Sequence, residues 1–206
     1  MAEITAITPQ IKDKTRCNIE VDGVFYCGMK LETVIQNRLK AGSVVSEQEL
    51  SAMQLESEKS TALDKALHYI TASMKTEKEI RDYLRKKGYL EDVTNYVVEK
   101  MKGYGFLDDA AYSAAYVANV SKRKGRRLIA MELRKKGISD GEIDGALKTI
   151  TGEEESAAKL LEKYMRGKTA DRKNLQKAYA YLIGKGFDYD TARAALSAFG
   201  ETDDEN

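Results

Sequence analysis

The sequence predicts a mainly α-helical chain: three tandem three-helix repeats forming an elongated, curved array, preceded by a small N-terminal β-hairpin segment. Three observations carry that expectation. Leu84-Arg-Lys-Lys-Gly88 recurs as Leu133-Arg-Lys-Lys-Gly137 and, more weakly, as Leu182-Ile-Gly-Lys-Gly186, with the glycines 49 residues apart each time. The one proline among 206 residues is Pro9, so the chain beyond it is almost free to be helical. Helix-start pairs also recur wherever an apolar run begins, which speaks against a large all-β fold.

Residues 3–30 read as strands. Ile4, Ala6 and Thr8 alternate with polar positions, and residues 16–21 and 24–29 flank Asp22-Gly23. An Asp-Gly pair between β-rich runs favours a two-residue type I′ turn, because both central residues need positive φ. With that loop Val21 faces Val24, Ile19 faces Tyr26, and Cys17 and Cys27 fall on opposite faces. Two cysteines are too few for a disulfide scaffold or a zinc quartet, and they read as small apolar residues.

From Leu31 the period becomes helical. Ser46 with Glu49, Thr76 with Glu79, Ser139 with Glu142 and Thr151 with Glu154 fit the capping box, in which each side chain satisfies an otherwise unpaired backbone N–H. Gly88, Gly103, Gly137, Gly167 and Gly200 sit where left-handed C-caps belong. Helices are expected near 61–72, 77–87 and 90–102, then 109–123, 126–136 and 140–150, then 153–166, 172–184 and 189–199. The 49-residue offset superposes Ile80, Ile129 and Ala178 before the motif, and Val98, Leu147 and Leu196 after it. A lone LRKKG is an ordinary helix ending, since cations and then Gly satisfy the dipole and the cap. Two close copies and a third at one spacing are a repeat, and a unit this short leaves part of its burial to its neighbours. The expected domains are an N-terminal β-hairpin with helical extension (1–60), repeats at 61–108, 109–151 and 152–200, and an acidic tail (201–206).

The 34 Lys and Arg balance 33 Asp and Glu, which excludes a polycation that coats nucleic acid by net charge alone. Locally the balance breaks: residues 111–151 carry nine basic against four acidic side chains, while the neighbouring segments are neutral or acidic. Eight of the nine lie on either side of one helix–helix turn: Lys122, Arg123, Lys124, Arg126, Arg127, Arg134, Lys135 and Lys136. With Ile129 and Leu133 one turn apart facing a core, Arg123, Arg127 and Arg134 are expected to project outward. Such a cluster suits phosphate backbones or an acidic protein groove, and its bland alternative is a solvated helix face. A secondary basic group is Arg81, Arg85, Lys86 and Lys87.

Other candidates carry less. His68, the sole histidine, sits in an apolar helix pattern with no evident nucleophile or metal partner. Asp108-Asp109 reads as an N-cap and a dipole partner rather than a catalytic carboxylate pair. Tyr83, Tyr89, Tyr96, Tyr104, Tyr112 and Tyr116 could stack bases, but their helical spacing favours packing. No phosphate loop, zinc spacing or catalytic triad pattern is present, so the expectation is no enzyme, no cofactor and no metal. No stretch reaches the ~18 apolar residues of a membrane span, and residues 1–10 lack an export signal, so the cytoplasm is the expected compartment.

The chain resembles the RecX family, bacterial regulators of the RecA recombinase. Thr76-Glu-Lys-Glu-Ile80, with Leu84 and Lys87-Gly88-Tyr89, is similar to the family's first-repeat pattern, as is Tyr104-Gly-Phe-Leu-Asp108-Asp109 leading into Tyr112 and Tyr116-Val117. Lys124-Gly125, Ile129, Glu132-Leu133 and Lys136-Gly137-Ile138 resemble the second-repeat signature. Residues 4–28 resemble an extension carried by longer members. The chain departs from the pattern at Lys75, Tyr112 and Arg126, and its third repeat is degenerate, with Gly184 interrupting the motif.

The resemblance implies a non-enzymatic modulator of homologous recombination, DNA repair and the SOS response. It would lodge in the groove of RecA filaments on single-stranded DNA and limit strand exchange, ATPase and coprotease activity. On that reading the eight central cations contact RecA carboxylates, DNA phosphates or both. Two rivals from other classes are a direct DNA-binding module, which would bind naked DNA without RecA, and a structural helical-repeat adaptor with little salt sensitivity. A monomer is the default expectation.

Overall fold

The computed structural model of the chain describes residues 1–203, with side chains described through Phe199. It divides into two compact units, Met1–Met74 with Ile80–Leu107, and Lys75–Glu79 with the chain from Asp108 onward.

The first unit opens with strands β1 (Ala2–Pro9), β2 (Arg16–Val21) and β3 (Val24–Lys30), then helix α1 (Leu31–Gln36) and strand β4 (Val44–Val45). These form a four-stranded antiparallel sheet in the order β3-β2-β1-β4, larger than the expected hairpin. Asp22 and Gly23 take φ of 51° and 81°, the two positive values that a type I′ turn needs. Val21 pairs with Val24 as expected, but Ile19 pairs with Cys27 rather than Tyr26, because the register shifts between Ile19 and Glu20. One extra residue on β3 inverts the parity of every position beyond it. Cys17 and Cys27 are therefore both buried in the same cluster, with Ile4, Ile19, Met29, Val34 and Leu50, and both are free thiols. The expectation of opposite faces is corrected by that bulge.

Helix α2 (Glu47–Ile70) runs unbroken through position 60, so the N-terminal extension and the first repeat share one helix. Ser46 caps it in a reciprocal box with Glu49. The first repeat is completed by α3 (Glu77–Lys86), whose start belongs to the second unit, and α4 (Glu91–Gly103). Ala62, Ala66, Ile80, Leu84, Val93, Val97, Val98 and Met101 form its core.

The second unit holds α5 (Asp109–Val120), α6 (Arg126–Lys135) and α7 (Asp140–Leu147), then α8 (Glu153–Met165), α9 (Arg172–Gly184) and α10 (Tyr189–Asp203). The triplets Ile80, Ile129, Ala178 and Leu84, Leu133, Leu182 are all fully buried, so the 49-residue offset marks equivalent core positions. Gly88, Gly137 and Gly186 share φ of 86° to 88°, the left-handed helix ending that motif encodes.

Three local expectations are corrected. Thr151 does not cap α8: Gly152 takes the N-cap position in the left-handed conformation, and the helix begins one residue later than Thr151 requires. Gly103 stays helical, and the left-handed turn falls on Gly105. Helix α10 continues through Gly200 to Asp203. The expected acidic tail, 201–206, lies partly outside the described residues.

Candidate regulatory surface

Helix α6 is amphipathic by necessity. Ile129, Ala130 and Leu133 are buried, which turns Arg126, Arg127, Arg134 and Lys135 to solvent. Lys122 and Arg123 are exposed in the turn before it, while Lys124 and Lys136 are half-buried.

The eight cations fall into two sets. Lys124 donates to both oxygens of Glu132, at 2.6 and 2.7 Å, and the Tyr116 hydroxyl donates to the same carboxylate at 2.6 Å. Its bond to Glu132 raises the Lys124 pKa. Burial works against the Glu132 anion but is outweighed by Lys124 and Tyr116, so this carboxyl titrates low. Lys136 reaches Glu79 at 2.9 Å, its carbonyl accepts from the Thr76 hydroxyl at 2.8 Å, and Lys78 donates to the Lys135 carbonyl. Burial pulls the Lys136 ammonium down, yet Tyr112 and Glu79 hold its proton and the net shift is upward. Tyr112 and Tyr116 stack at 6.4 Å, joining the two networks. Arg126 closes a third contact with Glu153 and the Ile150 carbonyl.

The other set points outward. Among the described residues Lys122, Arg123, Arg127 and Lys135 form no ion pair, and Arg134 meets only the exposed Asp140, at 2.7 Å. Exposed pairs of this kind contribute little to stability and leave the cation available. The guanidinium carbon of Arg127 stands 5.4 Å from the centre of the Tyr189 ring. Nothing local in the sequence marks Tyr189 for this surface, because 62 residues separate it from Arg127.

In the first unit the secondary group is more engaged. Arg81 bonds Glu91 and Asn95, Arg85 bonds Asp82, and Lys87 lies over Tyr83, while Lys86 is exposed. His68 is exposed near the end of α2, Asp108 caps α5, and Asp109 accepts from the Glu77 N–H. Among the described residues no three His, Cys, Asp or Glu side chains converge as metal ligands would, and no helix is long and apolar enough to cross a membrane.

Family profiles match at 2–46, the regulatory protein RecX N-terminal domain, and at 62–101, 108–147 and 152–196, the first, second and third three-helix domains of RecX. The chain belongs to the RecX family. Regulatory protein RecX of Bacillus licheniformis is 32% identical over 100% of this chain and 80% of its own length, and that of Clostridium perfringens strain SM101 is 32% identical over 95% of each. A crystal structure of regulatory protein RecX superposes with a TM-score of 0.71 at 31% identity, covering 94% of this chain and 98% of its own. RecX from Lactobacillus salivarius gives 0.64 at 28% identity, covering 68% and 96%. This RecX-family chain therefore shares its fold with one solved member over nearly its whole length and with a second over about two thirds of it.

Proposed function

We propose that this RecX-family chain is a non-enzymatic regulator that binds RecA filaments on single-stranded DNA in the cytoplasm and restrains recombinase, ATPase and coprotease activity. The observation that carries the reading is the outward set of cations on and before α6: Lys122, Arg123, Arg127, Arg134 and Lys135. Lys124, Arg126 and Lys136 act differently, holding the second unit in shape through Glu132, Glu153 and Glu79. The contact is electrostatic, so affinity for the filament falls steeply with salt.

The test compares binding to bare single-stranded DNA, to RecA alone and to the RecA filament at two salt concentrations. The proposal requires the filament to bind most tightly and to lose affinity most as salt rises. Equal binding to bare DNA favours a DNA-binding module, and salt-independent binding to RecA alone favours an adaptor.

A further inference from the structure

The three repeats differ in residue type at one exposed position. Glu91, Asp140 and Tyr189 are equivalent, 49 residues apart, and each is the first residue of its repeat's third helix. In the first two repeats the acid there lies against arginines of the preceding helix: Glu91 at 3.2 Å from Arg81 and 3.9 Å from Arg85, and Asp140 at 2.7 Å from Arg134. In the third repeat the acid is replaced by a tyrosine that is 57% exposed. Its ring lies beside Arg127, a cation with no ion pair among the described residues.

The ring does not stand alone on this surface. Along the solvent face of α6, Arg127 is followed one turn later by Met131, 44% exposed, and after another turn by Arg134 and Lys135. Flat aromatic and thioether surface is thus interleaved with cations over about 12 Å of helix. An acidic protein groove, or the outside of a duplex, needs only the cations. An unpaired nucleobase needs a ring or guanidinium plane to stack on and a cation for the adjoining phosphate, and this stripe offers both. The other strongly exposed tyrosine, Tyr104, instead packs edge-on against Phe106 in the first unit.

We infer that Tyr189 and Arg127 form a stacking site for an unpaired base of single-stranded DNA, with Arg134 and Lys135 on the flanking phosphates. The inference rests on the proposed function and sharpens it, because it selects DNA rather than RecA as the ligand of this part of the basic face.

The test uses the full chain and two fluorescein-labelled oligomers of equal length and charge: single-stranded oligothymidylate, and the same backbone with abasic sites throughout. Anisotropy titrations are made with the wild-type chain, Tyr189→Ala, Tyr189→Phe and Arg127→Ala, each shown to fold by circular dichroism. Tyr189→Ala is expected to weaken oligothymidylate binding on the order of tenfold and to leave the abasic oligomer unchanged. Tyr189→Phe should keep wild-type affinity, whereas Arg127→Ala should weaken both. Equal loss on both oligomers, or loss on neither, overturns the inference, as does a wild-type chain that holds no oligothymidylate. Filament binding measured on the same proteins separates the failures. If filament affinity survives while base dependence is absent, the stacking site alone is wrong; if the wild-type chain ignores the filament, the regulatory reading falls with it.

Discussion

The Lys136–Glu79 pair shows how one side-chain contact fixes an element. Both side chains are about one-third exposed, at 31% each, so the pair is neither screened like a surface bridge nor stranded like a fully buried one. Glu79→Gln should cost roughly 1–2 kcal/mol at pH 7. The pH dependence has a definite sign. Burial alone would raise the Glu79 pKa, but Lys136 and the Thr76 N–H prevail and hold it below its ordinary 4.5. A depressed carboxylate contributes stability above its unfolded pKa and loses it as pH falls through the folded value. The wild-type advantage over Glu79→Gln should therefore be full at pH 7 and shrink below pH 4.5, measured by thermal unfolding at a series of pH values. At the alkaline end, Lys136 keeps its charge beyond 10.5, so the contact outlasts ordinary lysine titration. The two thiols give a second residue-scale prediction. Burial pushes Cys27 up to about 11 and also raises Cys17, so neither forms an appreciable thiolate at pH 8. An aromatic disulfide reagent should modify neither thiol in the native chain and both in guanidinium chloride. Their apolar character was legible in the sequence. Their shared face was not, since a bulge at one position leaves no local mark in the pattern.

At the scale of elements, the repeat was legible because its signals are short-range. A capping box, a buried leucine one turn before the end and a left-handed glycine are each set by a few adjacent residues. Helix α2 was only half legible. Ser46 and Glu49 announced its start and no Gly or Pro follows before residue 71, but the polar stretch at 56–60 hid its continuity with the first repeat. How the last two repeats join is a tertiary fact. Gly125 and Gly186 meet backbone to backbone, with the Gly125 N–H donating to the Lys185 carbonyl at 2.9 Å and the Arg127 N–H to Gly186 at 3.1 Å. A Cβ on Gly125 would sit 2.4 Å from the Gly186 carbonyl and from the Phe187 nitrogen, atoms that cannot swing aside. Gly125→Ala should thus cost roughly 1–3 kcal/mol, read from the urea midpoint. Gly184, the residue that breaks the third motif, ends α9 and has open space where a Cβ would go. Gly184→Ala should be neutral or stabilise by about 0.5 kcal/mol. The two alanines separate a glycine required by close approach from one that is merely tolerated.

For the whole molecule, near-neutral net charge coexists with a local surplus because the second repeat has few acids of its own, and the structure commits much of what surrounds it. Glu132 is taken by Lys124, Glu153 by Arg126 and Glu79 by Lys136, so the remaining cations face solvent, and among the described residues their one ion pair is that of Arg134 with Asp140. Counting charges along the sequence located this surplus but could not divide it, since Lys124 and Lys136 look no different from Lys122 and Lys135 until Glu79 and Glu132 are brought to them. That division predicts two phenotypes from the same chemical change. Reversing Arg123, Arg127 and Lys135 to Glu removes exposed charge and leaves the core networks intact. The triple variant should unfold within a few degrees of wild type, bind the RecA filament far more weakly, and show a shallower dependence of affinity on salt, because fewer counterions are released. Reversing Lys124 and Lys136 places carboxylates against Glu132 and Glu79 and should lower the melting temperature first, with binding lost in proportion to the unfolded fraction. Melting curves and filament titrations at two ionic strengths on both variants decide the matter. If the exposed triple variant restrains RecA ATPase as well as wild type does, the cationic face is not the contact.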